Sequence, residues 1–348
     1  MISARRLMAL TAGAATIAGA GAATATAAPM AGSDADRATK PAVREVPADE
    51  QRSAERLDIE HITRVATPLP MPKGGTSGSG ADEARGTPSS VPPAGGKGGS
   101  AARADAARAS AEGLVWPGAN TANPNRQIGK LYFDTDPGPA TRWSWCSASA
   151  VNSTNKSVVI TAGHCVYDRS NQRWYTRHIF YPGYEYGASP DGVWTARTLV
   201  TTGSYYSSGN YADDMAAVVV NTRSGVRLVN RVGGHGIMFN AAARQSRWSF
   251  GYPATDWRWP GYVANGQDMR YCQGTNAGPY SGQLYLRCRM TGGSSGGPWL
   301  TRVQRNWLGY VNSVNSNKGG IGSAYAYRMY GPYFGNAERA VYNYARNR

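Results

Sequence analysis

The sequence predicts an all-β fold that ends in one C-terminal helix and sits behind an exported, low-complexity leader. Three observations predict it. Apolar runs are short, about four to seven residues, rich in β-branched side chains and punctuated by Gly, Pro and Asn. Every aromatic ring, from 10 Trp, 21 Tyr and 5 Phe, lies after position 113, the first being Trp116. All 4 Cys lie there too, as two local pairs, Cys146 with Cys165 and Cys272 with Cys288.

A length of 348 residues would by itself suit two domains. The uneven placement of rings argues instead for one folded unit, 113–348. Residues 1–27 read as a signal peptide. Arg5 and Arg6 give a positive start, Leu7 to Ala20 is mildly apolar, and Ala25-Thr26-Ala27 is an A-x-A cleavage pattern. Gly, Ala and Thr dominate there, which disfavours a transmembrane helix, and no later run approaches ~20 apolar residues. The mature chain is expected to be secreted and free of the membrane.

Residues 28–112 read as a pro-region and flexible linker, largely disordered. They offer little apolar surface to offset chain entropy. ERLDIEHITRV (55–65) has room for a turn or two of helix. Residues 66–100, with PLPMPKGGTSGSG and GTPSSVPPAGGKGGS, have linker composition. The Ala- and Arg-rich stretch 102–113 is a candidate processing region. Strands are then expected in QIGKLYF (127–133), SVVITAG (157–163), MAAVVVN (215–221) and NWLGYVNSV (306–314). FGNAERAVYNYARNR places Ala337, Val341, Tyr342 and Tyr344 at helical spacing, which predicts the terminal helix.

The formal net charge is +15. The cations of the folded part are mostly arginines scattered along it, and no nucleic-acid module pattern occurs. A solvated basic face is the better reading, with no nucleic-acid partner. In an oxidising compartment the four cysteines predict two disulfides, each contributing about 3 kcal/mol, and nearest-neighbour pairing is one of three connectivities. No C-x-x-C spacing suggests zinc, and no metal or cofactor is expected.

The stretch TGGSSGGPWL (291–300) sets two serines among four glycines. A serine nucleophile needs a base, usually histidine, and an oriented carboxylate behind it. His164 stands at the end of an apolar run, next to Cys165, whereas His178 and His235 lie in less constrained contexts and read as ordinary surface or core residues. Asp213 and Asp214 precede the run MAAVVV. GGSSG satisfies the G-x-S-x-G elbow twice, but that arrangement requires its histidine after the serine, and none follows His235. The order is His, Asp, Ser. Spacing alone leaves Ser294 and Ser295 both open, as it does Asp213 and Asp214.

TAGHC (161–165), DMA (214–216) and GGSSGGP (292–298) together resemble the trypsin/chymotrypsin-like serine endopeptidases, in particular the bacterial secreted branch that includes the glutamyl endopeptidases. The resemblance spans residues 125 to about 315. It implies a chymotrypsin-like double β-barrel of six strands each with the site between the barrels. It also implies a triad of His164, Asp214 and Ser295, with Asp213 as the fallback, and a disulfide from Cys146 to Cys165. The expected chemistry is hydrolysis of protein or peptide substrates through an acyl-enzyme, with an oxyanion hole from the N–H groups of Gly293 and Ser295. Where trypsin-like enzymes carry a specificity aspartate, six residues before the nucleophile, this sequence has Arg289. The histidine used by glutamyl endopeptidases is missing from GYVNSVN (309–315). Ser294 replaces the aspartate that pairs with a freed N-terminus, so the leader is expected to act as an intramolecular inhibitor or folding aid and to be cut between about Ala101 and Asn125. An esterase using the same triad and a catalytically inactive binding protein on the same fold are the alternatives.

Overall fold

The computed structural model describes residues 40–73, 86–96, 100–101, 110–136, 138, 141–256, 258, 261–275, 277–280, 282–320 and 326–348. The expected signal peptide lies outside the described residues. The leader supplies β1 (Ala42–Glu45), α1 (Ala48–Glu55), α2 (Ile59–Val65), β2 (Thr67–Pro68), β3 (Ser89–Val91), β4 (Ser100–Ala101) and β5 (Ser110–Val115). Next come β6 (Ala122–Asn123), β7 (Ile128–Asp134), β8 (Trp143–Val151), β9 (Val158–Thr161), β10 (Tyr167–Asp168), β11 (Arg173–Trp174), β12 (Thr176–Pro182), β13 (Trp194–Thr201), α3 (Gly203–Ser208) and β14 (Ala216–Val220). The second half holds α4 (Leu228–Val232), β15 (Gly236–Phe239), β16 (Ser246–Gly251), β17 (Arg270–Thr275), β18 (Ala277–Tyr280), β19 (Gln283–Arg287), β20 (Pro298–Thr301), β21 (Tyr310–Val314), β22 (Asn317–Lys318), β23 (Arg328–Pro332) and α5 (Asn336–Ala345).

The first barrel is a closed ring, β7-β8-β9-β14-β13-β12, with β12 returning to β7. β9 and β14 are buried at every position, and their sequences, VVIT and AAVVV, are nearly continuous apolar runs. Such runs suit strands covered on both faces, and α5 lies over β13 and β14. The second half forms a seven-stranded sheet, β3-β15-β21-β20-β16-β17-β5, and a four-stranded sheet, β18-β19-β23-β22. The architecture is that of a chymotrypsin-like double barrel with a C-terminal helix. Two strands from ahead of the first barrel, β3 and β5, extend the main sheet of the second half at opposite edges.

The four strands expected from sequence are present in β7, β9, β14 and β21, each within a residue or a few of its expected bounds. α5 buries Val341, Tyr342 and Ala345, and the Glu338 carboxylate caps it by accepting the Gly335 N–H at 2.8 Å. Trp116, the first ring in the chain, packs edge-on against Trp248, Phe250, Tyr271 and Trp307 at 4.6–6.2 Å.

The expectation of a largely disordered leader is corrected for residues 40–73 and 86–96. β1 runs antiparallel to the C-terminal half of β13, beside the stretch that β12 leaves uncovered. Glu50 accepts the Arg177 N–H at 2.8 Å, and Asp58 caps α2 by accepting the His61 N–H at 2.9 Å. Val46, Ala54, Ile62 and Met71 are buried. Strand addition draws on backbone groups and needs few apolar side chains, so a ring-free composition did not forbid it. The expected boundary at 112/113 falls inside β5, which pairs with β17.

His178 and His235 are core residues. His178 stacks on Phe133 and donates from Nε2 to the Cys165 carbonyl at 3.2 Å, while His235 Nδ1 accepts the Gly309 N–H at 3.4 Å. Burial pushes them down to about 4 and about 3. Both values lie below that of an unfolded histidine, so the unfolded chain takes up protons the folded chain refuses as pH drops below about 6.5. This contribution to stability is complete above that pH and declines toward pH 4 and below. Thermal unfolding between pH 7.5 and 4.5 is expected to show a falling midpoint, with a shallower fall in His178→Phe. An equal fall in both proteins would contradict the assignment.

Candidate active site

His164 is carried by a short 3-10 turn, Gly163–Cys165, directly after β9. Cys165 is bonded to Cys146 on β8, and the second bridge joins Cys272 to Cys288. Gly163 has no room for a side chain. A Cβ there would stand 2.7 Å from the Tyr205 ring, 2.8 Å from Thr201 Oγ1 and 3.0 Å from Asp214 Oδ1. The turn is thereby pressed against Asp214.

Asp214 stands before β14 and is fully buried. Its Oδ1 accepts the His164 backbone N–H at 2.8 Å, and its Oδ2 pairs with His164 Nδ1 at 2.7 Å. The Ser316 hydroxyl, from the second barrel, donates to the same Oδ2 at 2.6 Å. Of the two neighbouring aspartates, the geometry therefore joins Asp214 to the histidine. Asp213 instead accepts from Asn210 Nδ2 at 2.9 Å, and burial raises its pKa.

The glycine-serine loop lies between β19 and β20. Gly293 and Gly296 have φ of +88° and +79°, the left-handed region that favours glycine. Ser294 Oγ donates to the Thr291 carbonyl at 2.6 Å, so its hydroxyl is used inside the turn. Ser295 Oγ and His164 Nε2 are both buried, and neither has a hydrogen-bond partner among the described residues. The loop is clamped onto the first barrel by Ser147 of β8. The Ser147 N–H donates to the Ser295 carbonyl at 2.7 Å, and Ser147 Oγ donates to the Gly293 carbonyl at 2.9 Å. A Cβ on Gly296 would lie 2.9 Å from the Ala162 nitrogen, two residues before His164. The structure thus brings the loop of Ser295 against the end of the strand that carries His164.

The chain is 38% identical to the protease Anisep from Arthrobacter nicotinovorans, with a TM-score of 0.56 over 65% of this chain and 97% of that one. It belongs to the trypsin/chymotrypsin-like serine proteases. A thermostable serine protease, AL20, from an extremophilic microorganism is 36% identical, with a TM-score of 0.56 over 64% of this chain and 98% of that one. A Glu endopeptidase shares the fold at 20% identity, with a TM-score of 0.53 over 68% of this chain and 98% of that one. No protein-family model matches the chain, and no curated protein matches it in sequence.

Several groups that pack around the protease's serine loop carry no signal in the sequence. Asn315 holds the serine loop from below. Its Nδ2 donates to the carbonyls of Ser294 and Phe250 at 3.0 and 2.9 Å, and its Oδ1 accepts from Ser249 Oγ and Trp299 Nε1, both at 2.7 Å. Trp145 backs Gly293, where a Cβ would come within 2.5 Å of the indole nitrogen, and the Lys130 ammonium sits 4.0 Å from the Trp145 ring. Lys318 is buried beside the serine loop and donates from Nζ to the carbonyls of Cys288 and Met290 at 2.9 and 3.1 Å. Burial, with the nearby Arg289 charge, brings Lys318 down to about 7. Arg289 pairs with Glu112 of β5 at 3.0 Å. Cys146, His164 and Cys165 offer metal-type atoms within 4.8 Å of one another, but the two sulfurs are bonded to each other.

Ser316→Ala removes one of three hydrogen bonds to a fully buried carboxylate. A hydrogen bond to a charged group is worth about 1.5–3 kcal/mol. Denaturant unfolding is expected to show a loss of that size with an unchanged m-value, and a midpoint equal to that of the native protein would contradict it.

Proposed function

We propose that this protein is a secreted endopeptidase that hydrolyses peptide bonds at Ser295 through an acyl-enzyme. The observation that carries this reading is the Asp214–His164 pair, at the strand end against which the serine loop packs, with His164 Nε2 and Ser295 Oγ both buried and without a hydrogen-bond partner among the described residues. Ser295 Oγ attacks the substrate carbonyl carbon as His164 Nε2 takes its proton. Asp214 holds the imidazole with its proton on Nδ1 and stabilises the imidazolium. The resulting oxyanion is received by the N–H groups of Gly293 and Ser295, preset by the left-handed turn at Gly293. Collapse breaks the C–N bond, and the amine leaves with the proton from Nε2. Water then attacks the ester as His164 Nε2 takes its proton, and the C–Oγ bond breaks with that proton passing to Oγ, which releases the carboxylic acid and restores Ser295.

Kinship with serine proteases supports peptidase activity. Two disulfides and the signal-like N-terminus support secretion. Arg289 and the buried Lys318, both close in sequence to the site's loops, disfavour a lysine or arginine side chain in the substrate pocket. An esterase reading draws on the same triad, and rates on peptides against simple aryl esters separate the two.

Ser295→Ala is expected to abolish both hydrolysis and labelling by a fluorophosphonate probe, while Ser294→Ala retains most of each. The reverse pattern would move the nucleophile to Ser294. Asp214→Asn should lower kcat by about four orders of magnitude, the loss typical of a triad aspartate, whereas Asp213→Asn should cost far less. Mass-spectrometric mapping of cuts in a denatured protein is expected to show few after Lys or Arg, and a majority there would overturn the reading of Arg289 and Lys318.

A further inference from the structure

We propose that residues 68–72, Pro-Leu-Pro-Met-Pro, form an inhibitory strap that occupies the catalytic cleft and that the cleft cannot cut. The inference rests on the assignment of Ser295 and the Gly293 N–H made above. The leader reaches the cleft from β1 on the first barrel and leaves it toward β3 on the second. In between, Leu69 spans the cleft with its backbone. Its N–H donates to the Trp145 carbonyl at 3.0 Å, and its carbonyl accepts the Gly293 N–H at 3.1 Å. A donor proposed to receive the reacting carbonyl is thus taken by the leader's own carbonyl. Further along, the Pro72 carbonyl accepts the Lys318 N–H at 3.1 Å, and Met71 is 1% exposed within the apolar cluster that includes Met290 and Trp299.

Two features make this segment a stopper and not a substrate. The carbonyl at Gly293 belongs to the Leu69–Pro70 bond, whose nitrogen is a ring nitrogen with no N–H and a Cδ in its place. Pro68 and Pro72 fix φ on either side, so the strap loses little freedom on binding. The chain also runs parallel to both walls, with Pro68 opposite Trp145 and Lys73 opposite Lys318, so one direction is kept across the whole cleft.

The test measures the rate at which a fluorophosphonate labels the full chain with its leader uncleaved, with intact mass confirming the leader and thermal unfolding confirming the fold. Met71→Asp and the milder Met71→Ser are expected to label about tenfold faster or more than the native chain, because the rate follows the fraction of molecules with the strap displaced. Glu60→Gln, an exposed change in α2, should leave the rate unchanged. If the native chain labels as fast as both Met71 variants, or Glu60→Gln accelerates as much as they do, the strap inference is overturned while the nucleophile assignment stands. If no chain is labelled, with or without its leader, the Ser295 assignment falls and the strap falls with it.

Discussion

A carboxylate is fully buried at the seam between two barrels. Removing such a charge from solvent costs several kcal/mol unless donors replace the lost hydration. Asp214 receives three: the backbone and ring of His164 from the first barrel and the hydroxyl of Ser316 from the second. The interaction therefore does two things at once. It fixes which imidazole nitrogen carries the proton, and it ties the two halves of the molecule at the point where their side chains must meet. Gly163, too crowded for any side chain, is the local condition for it.

The serine loop is held to the same tolerance from other directions. Ser147 grips it from the first barrel on both sides of Ser294, and Asn315 holds it from below with every hydrogen-bonding atom engaged. Two left-handed glycines allow the tight path, and the hydroxyl of Ser294 closes the turn. The two adjacent serines thus divide the work: one hydroxyl is structural, and the other is left with nothing to bond among the described residues.

Much of this was legible in the sequence where the signal is local or ordinal. Nearly continuous apolar runs point to β9 and β14, and the absence of any histidine after His235 excludes the elbow arrangement from sequence alone. Ser316, Asn315, Trp145 and Lys318 were not legible, because each acts through a partner far away in the sequence and none carries a motif. The leader's order is illegible in the sequence for a different reason. Its scarcity of apolar residues argued for disorder, yet its order comes from backbone groups added to sheet edges and from three prolines that are already extended. Composition reports what a segment can bury, not what it can pair with.

The seating of β1 would matter to this protein if its leader were cut away. Along residues 198–201 of β13, one side is paired with β14 and the other with the leader. Departure of the leader would uncover a row of backbone donors and acceptors flanked by buried side chains, the kind of open sheet margin that recruits strands from other molecules. A leader that stayed seated after such a cut would keep that margin covered.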